Sequence, residues 1–145
     1  MSACFSTCRR VEFRDTDAAG IMHFSTYFNR MEEAEHELLR TLGTSVVMPV
    51  AADDSTQGEI SWPRVAAECQ YSGSARFEDE LQVDVHVKRI GSSSVTYTFR
   101  FRVDDQEIAH GSLTTVCCRL VPGFPPESVP IPERLRQQLM DFLPP

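Results

Sequence analysis

Hydrophobic and polar positions change period twice along the chain. Phe5, Val11 and Phe13 stand among Ser6, Cys8, Arg10, Glu12 and Arg14 in near alternation, which predicts a half-buried strand over residues 5–14. From Phe24 the spacing lengthens. Phe24, Tyr27, Phe28, Met31, Ala34, Leu38 and Leu42 share one side, and Glu32, Glu33, Glu35, Glu37 and Arg40 fill the other. That pattern predicts an amphipathic helix over residues 24–42, with Ser25 or Thr26 as its N-terminal cap and Gly43 past its C-terminus. Between strand and helix, Asp15 to His23 makes a turn in which Gly20 is free to take a positive φ.

Period two then returns. Val65, Ala67, Cys69 and Tyr71 alternate with Arg64, Glu68 and Gln70. Leu81, Val83, Val85 and Val87 alternate with Gln82, Asp84, His86 and Lys88, and Val95, Tyr97, Phe99, Phe101 and Val103 with Thr96, Thr98, Arg100 and Arg102. The last two runs are joined by RIGSSS, a short hairpin turn. A final strand is expected from Ile108 to Leu120, and an acidic, mobile loop over residues 51–58. The prolines from Pro122 to Pro132 end the sheet and carry the chain away, and Pro132 opens a short helix to about Phe142.

One long helix followed by strands without β-α-β alternation excludes a parallel sheet. The economical solution is an α+β hotdog fold: one long central helix wrapped by a curved antiparallel sheet. Residues 1–145 are read as one domain with a short C-terminal helical tail. A single helix leaves a sheet edge open, and pairing with a second copy closes it. A homo-oligomer is therefore expected, either a dimer or a dimer of dimers.

Composition narrows the function. A net charge of −7 weighs against nucleic acid as a partner, since phosphate backbones demand a basic face. No apolar run is long enough for a membrane span and the N-terminus lacks a signal-like stretch, so a cytoplasmic location without membrane contact is expected. Cys4, Cys8, Cys69, Cys117 and Cys118 include no CxxC pair. They are read as reduced and mostly buried, with Cys117 and Cys118 on opposite faces of a strand. His23, His36, His86 and His110 form no ligand cluster, so neither metal nor cofactor is expected.

The stretch FRDTDAAGIMHF holds the candidate chemistry. A carboxylate just before a helix N-terminus has two readings. It stabilises the helix dipole, or it acts as nucleophile or general base beside N–H groups that hold an oxyanion. Asp17 fits both, while Asp15 fits ordering the turn through backbone N–H groups. Further on, VKRIGSSSV sets Lys88 and Arg89 beside Ser92 and Ser94. Two cations next to small hydroxyl residues suit the phosphate of a ligand, or simply a charged hairpin end. Arg100 and Arg102 suit cross-strand pairing with Asp84 and other acids.

FRDTDAAGIMHFSTY, through Phe13, Arg14, Asp15, Thr16, Asp17, Gly20, Ile21, Met22 and Tyr27, resembles the motif of the 4-hydroxybenzoyl-CoA thioesterase-like family of hotdog acyl-CoA thioesterases. YSGSARFEDELQVDV is similar to that family's strand–turn–strand, and together the two matches span about residues 9–120. The resemblance implies hydrolysis of an acyl-CoA to free acid and CoA. It implies that Asp17 attacks the thioester carbonyl or activates the water that does, and that the Phe24 backbone N–H holds the carbonyl oxygen. On that reading Gly20 lets the acyl group approach the backbone, His23 is a candidate proton donor, Tyr27 floors an acyl pocket, and Lys88, Arg89, Ser92 and Ser94 hold the phosphates of CoA. A non-catalytic hotdog module binding acyl-CoA or acyl carrier protein is the alternative. A hotdog dehydratase would need a histidine–carboxylate pair that none of the histidines is set to supply.

Overall fold

The structure, a computed structural model, describes residues 4–49 and 58–145. In chain order the elements are β1 (Phe5–Arg10), α1 (Thr26–Thr41), β2 (Met48–Pro49), β3 (Glu59–Ser61), β4 (Arg64–Tyr71), β5 (Glu80–Ile90), β6 (Ser94–Val103), β7 (Gln106–Val116), β8 (Cys118–Leu120), β9 (Glu127–Ser128) and α2 (Glu133–Met140). The five long strands form one antiparallel sheet in the order β1-β5-β6-β7-β4. This sheet with α1 against one face is the hotdog arrangement.

Alternation decides which face is covered. Val83, Val85 and Val87 of β5, Tyr97, Phe99 and Phe101 of β6, and Ala109 and Leu113 of β7 bury together with Tyr27, Met31, Ala34 and Leu38 of α1. Each large apolar side chain so buried contributes about 1.5–3 kcal/mol. Gly111 permits the close approach of helix to sheet, because a Cβ there would run into Met31 Cε and the Glu68 carbonyl. Glu35, buried on α1, pairs with the half-buried Arg64 and ties the helix to β4. Burial pushes the Glu35 carboxyl above its usual range, against the pull of Arg64. The helix closes as a Schellman motif: Gly43, at φ +84, donates to the Arg40 carbonyl and Thr44 to that of Leu39.

Several sequence expectations need correction. The first strand stops at Arg10, because Val11 N–H turns to the Asp79 carbonyl and the chain enters a 3₁₀ turn at Phe13–Asp15. Ser25 holds the N-cap position of α1 without capping it; its hydroxyl lies 2.7 Å from His23 Nδ1. The last strand breaks at Cys117, whose backbone bonds Ser93 and Val129, and β8 joins a second small sheet in the order β2-β3-β8-β9. Cys117 and Cys118 are both buried. All five cysteines are free, but Cys4, before β1, and Cys8, on the open face of that edge strand, are exposed. The proline segment does not carry the chain away. β9 returns to β8, and α2 buries Leu135 and Leu139 while Val87 N–H bonds the Phe142 carbonyl. The loop expected at 51–58 lies, save Gly58, outside the described residues. Among the described residues no helix is long and apolar enough to cross a membrane.

Candidate active site

The turn from Asp15 to His23 is built by its own backbone. Asp17 N–H donates to the Ile21 carbonyl (2.8 Å), Gly20 N–H returns to the Asp17 carbonyl (3.0 Å), and Gly20 sits at φ +80, where L side chains strain. Met22 N–H to the Ala75 carbonyl (2.7 Å) and an Ile21–Arg76 bridge dock the turn on the segment entering β5. His23 N–H to the Asp15 carbonyl (2.8 Å) joins its start to the approach to α1.

The two aspartates do different things. Asp15 is buried: Oδ2 accepts Glu12 N–H at 2.8 Å, and Oδ1 meets Arg30 Nη2 at 2.9 Å. Asp17 is half-buried. Its Oδ1 accepts Ala19 N–H at 2.8 Å, an Asx turn, and Ile21 N–H at 3.4 Å. Its Oδ2 makes no hydrogen bond among the described residues. One oxygen orders the turn and the other is open to a ligand.

At the helix entry Thr26 N–H bonds the His23 carbonyl and Phe28 N–H that of Ser25, while Ser25 N–H bonds His23 Nδ1 at 3.2 Å. Phe24 N–H has no acceptor among the described residues. It stands at the positive end of a 16-residue helix. Since His23 Nδ1 accepts, the neutral ring carries its proton on Nε2. The imidazole stacks on the Phe24 ring at 4.5 Å, and that ring is 63% exposed.

Two tyrosines brace this entry. Tyr71, the last residue of β4, donates its hydroxyl to the Phe24 carbonyl at 2.7 Å and meets the Tyr27 ring edge-on at 5.0 Å; Tyr27 in turn meets Phe101 at 5.1 Å. Burial pushes both hydroxyls up to about 12, with Cys69 adding to the effect, so they stay protonated at neutral pH. Tyr27 is 2% exposed beneath Tyr71 and has almost no surface to offer a ligand. Sequence reasoning missed Tyr71, and also the exposed, edge-on pair of Phe13 and Phe77 near the turn. The exposed apolar start of the 3₁₀ turn was a signal for the latter; nothing in the strand pattern marked the Tyr71 hydroxyl.

The cations lie elsewhere. Lys88 and Arg89 line a cleft of about 450 Å³ on the helix-free face of the sheet, with Thr96, Ser112 and Thr114. Ser92 and Ser94 sit around the hairpin turn, outside that lining. From the start of β5, near the Asp17 turn, to Arg89 is about 30 Å along the strand. A single chain thus brings Asp17, His23 and Phe24 together and leaves Lys88 and Arg89 at the other end. Among the described residues no three His, Cys, Asp or Glu side chains gather as a metal site would need.

Comparison with known proteins adds to this geometry. Residues 11–139 match the family described as the thioesterase-like superfamily. A protein of Aquifex aeolicus (strain VF5) named as an esterase is 32% identical over 133 residues, 92% of this chain and 95% of that one. A 1,4-dihydroxy-2-naphthoyl-CoA hydrolase of Prochlorococcus marinus (strain MIT 9303) is 30% identical over 104 residues, 70% of this chain and 69% of its own. The solved structure of a gentisyl-coenzyme A thioesterase superposes with a TM-score of 0.77 at 27% identity, covering 93% of this chain and 99% of that one. A 1,4-dihydroxy-2-naphthoyl-CoA thioesterase from Synechocystis, at 20% identity and a TM-score of 0.81 over 96% of this chain and 97% of its own, shares the fold.

Proposed function

The chain belongs to the thioesterase-like superfamily and is an acyl-CoA thioesterase, and we propose that Asp17 is its catalytic carboxylate and the Phe24 backbone N–H its oxyanion donor. The observation that carries this reading is the Asp17 Oδ2 and, in the same short turn, the Phe24 N–H at a helix N-terminus, neither with a partner among the described residues. A thioester asks for little more. Asp17 takes a proton from water as the new C–O bond forms, or attacks the carbonyl itself through an anhydride that water then opens. The carbonyl oxygen becomes an oxyanion against Phe24 N–H, the C–S bond breaks, and CoA leaves as its thiolate. One such donor is worth about 3 kcal/mol of barrier. Gly20 gives the acyl group backbone access, and His23, with its proton on Nε2, is a candidate donor to the departing sulfur. Lys88 and Arg89 are assigned to the CoA phosphates.

The acyl group favoured is aromatic. Phe13, Phe24, Tyr71 and Phe77 expose rings about the turn, and aromatic faces stack on aromatic ligands. The naphthoyl and gentisyl thioesters named for the relatives point the same way. Five free thiols suit a reducing compartment, so a cytoplasmic location belongs to the same proposal.

Asp17→Asn is the decisive variant. Asparagine keeps Oδ1 for Ala19 N–H and replaces only the open oxygen with an amide nitrogen. Thiol release from a panel of aromatic, short-chain and long-chain acyl-CoAs should fall by roughly a hundredfold or more for the best substrate, with the melting temperature held within a few degrees. Turnover at the parent rate would return Asp17 to a turn residue only.

A further inference from the structure

Ser25 stands where a helix takes its capping residue, yet it does not cap. Its backbone is already helical, at φ −74 and ψ −23. A capping serine is extended there and turns its hydroxyl onto the N–H groups of the first turn. One N–H that such a serine serves, that of Phe28, goes instead to the Ser25 carbonyl at 3.2 Å. The hydroxyl is thereby released to a side chain. Ser25 Oγ lies 2.7 Å from His23 Nδ1, and Ser25 N–H donates to the same nitrogen at 3.2 Å. The N–H bond takes the Nδ1 lone pair, so the hydroxyl donates as well and the neutral ring keeps its proton on Nε2. The rest of the residue is held too. The ring stacks on Phe24 with centroids 4.5 Å and planes 28° apart. His23 N–H bonds the Asp15 carbonyl at 2.8 Å, and the His23 carbonyl accepts Thr26 N–H at 3.0 Å. Nε2 makes no hydrogen bond among the described residues.

We infer that Ser25 is a positioning residue: it holds the His23 ring so that Nε2–H donates a hydrogen bond to the thioester sulfur as negative charge builds there. The role rests on the acyl-CoA reading, and it gives the diverted hydroxyl a purpose that helix stability does not. As the C–S bond breaks, its electron pair passes to sulfur. The neutral imidazole keeps its proton, since losing it would leave an imidazolate, and CoA departs as a thiolate whose charge meets a donor already in place. A donor fixed before charge develops needs no reorganisation when it forms. Its value depends on the leaving group. An alkyl thiolate such as that of CoA concentrates charge on sulfur and gains from the bond, whereas an aryl thiolate spreads its charge over the ring and gains little.

The test measures kcat/KM on an aroyl-CoA and on the S-phenyl thioester of the same acid. Ser25 is exposed, so Ser25→Ala disturbs no core. It should lower the rate on the aroyl-CoA about tenfold, as slight misplacement of a group at a reacting centre allows, and leave the S-phenyl thioester nearly unchanged. Its melting temperature should hold, where a lost cap takes about 4 °C from a chain of this size. Ser25→Thr keeps a hydroxyl on the same carbon and should restore the parent rate. His23→Ala should discriminate between the two leaving groups in the same sense. Adding Ser25→Ala to it should cost nothing further, because a positioning residue acts only through the ring it positions. Tyr71→Phe, which bears on the oxyanion donor common to both substrates, should slow the two alike. Equal losses on the two thioesters in Ser25→Ala overturn the role, as do losses that multiply in the double variant. A lowered melting temperature with an unchanged rate overturns it too, and makes Ser25 a cap. A parent that cleaves neither thioester ends the acyl-CoA reading itself, whereas an active parent matched by Ser25→Ala on both ends the positioning role alone.

Discussion

Asp15 and Asp17 stand two residues apart and are separated by what surrounds them. Asp15 is sealed against Arg30, so Asp15→Asn leaves a buried guanidinium with only Glu33 beside it. Breaking such a pair costs about 3 kcal/mol, a loss of roughly 10 °C in Tm for a chain of this size. Calorimetry should show that loss, with kcat down far less than for Asp17→Asn; the reverse pattern would exchange the two roles. Asp84 gives the acid-side test. Burial works to raise its pKa, but hydrogen bonds from Arg102 and Ser6 outweigh that and hold it below the usual aspartate range. The unfolded chain then takes up the proton first, so this contribution is complete above about pH 4 and is lost as pH falls through the lowered folded value. Asp84→Asn should lower Tm at pH 7 and matter progressively less toward pH 3, measured by thermal scans across that range. At this scale the candidate carboxylate was legible because the turn is contiguous in sequence. The division of labour was not, since it depends on Arg30, one turn into α1.

Elements carry the site as much as residues do. The end of β4 holds the entry of α1 through the Tyr71 hydroxyl on the Phe24 carbonyl, a contact between residues 47 apart in sequence. If Phe24 N–H is the oxyanion donor, this bond sets where that donor points. Tyr71→Phe keeps the ring against Tyr27 and deletes only the hydroxyl. The expected outcome is kcat lowered about tenfold or more, as slight misplacement at a reacting centre allows, with KM and Tm nearly unmoved. A lowered Tm with kcat intact would make the bond structural alone. The same distinction explains what periodicity could read. α1, β4, β5 and β6 repeat their pattern long enough to be recognised, and they sit where the sequence put them to within a few residues. β2, β3 and β9 have two or three residues each, too few for any period, and exist only through backbone pairing. The break at Cys117 was invisible because apolar positions continue across it and only the partner strands change.

Among the described residues the five-stranded sheet has two open edges, β1 and the longer β4. β4 pairs β7 on one side and nothing among the described residues on the other, and Val65 and Tyr71 are 61% and 44% exposed along it. A bare eight-residue edge invites association, and a two-fold pairing of β4 with its copy is the closed solution. Such a pairing is antiparallel, so it lays the Tyr71 end of one strand beside the Arg64 end of the other. The first end carries the Asp17 turn and the second the Lys88–Arg89 cleft, which a single chain holds about 30 Å apart. Such a dimer would bring the proposed catalytic and phosphate-binding residues of different chains into one neighbourhood, and the monomer should then hydrolyse acyl-CoA poorly. Sedimentation at micromolar concentration should give a dimer or a multiple of it. Hydrogen exchange should find the β4 amides that point away from β7 protected, and dilution into the monomer range should release that protection together with acyl-CoA turnover. A monomer that exchanges its β4 edge freely and still turns over acyl-CoA at full rate would refute the pairing and confine the active site to one chain.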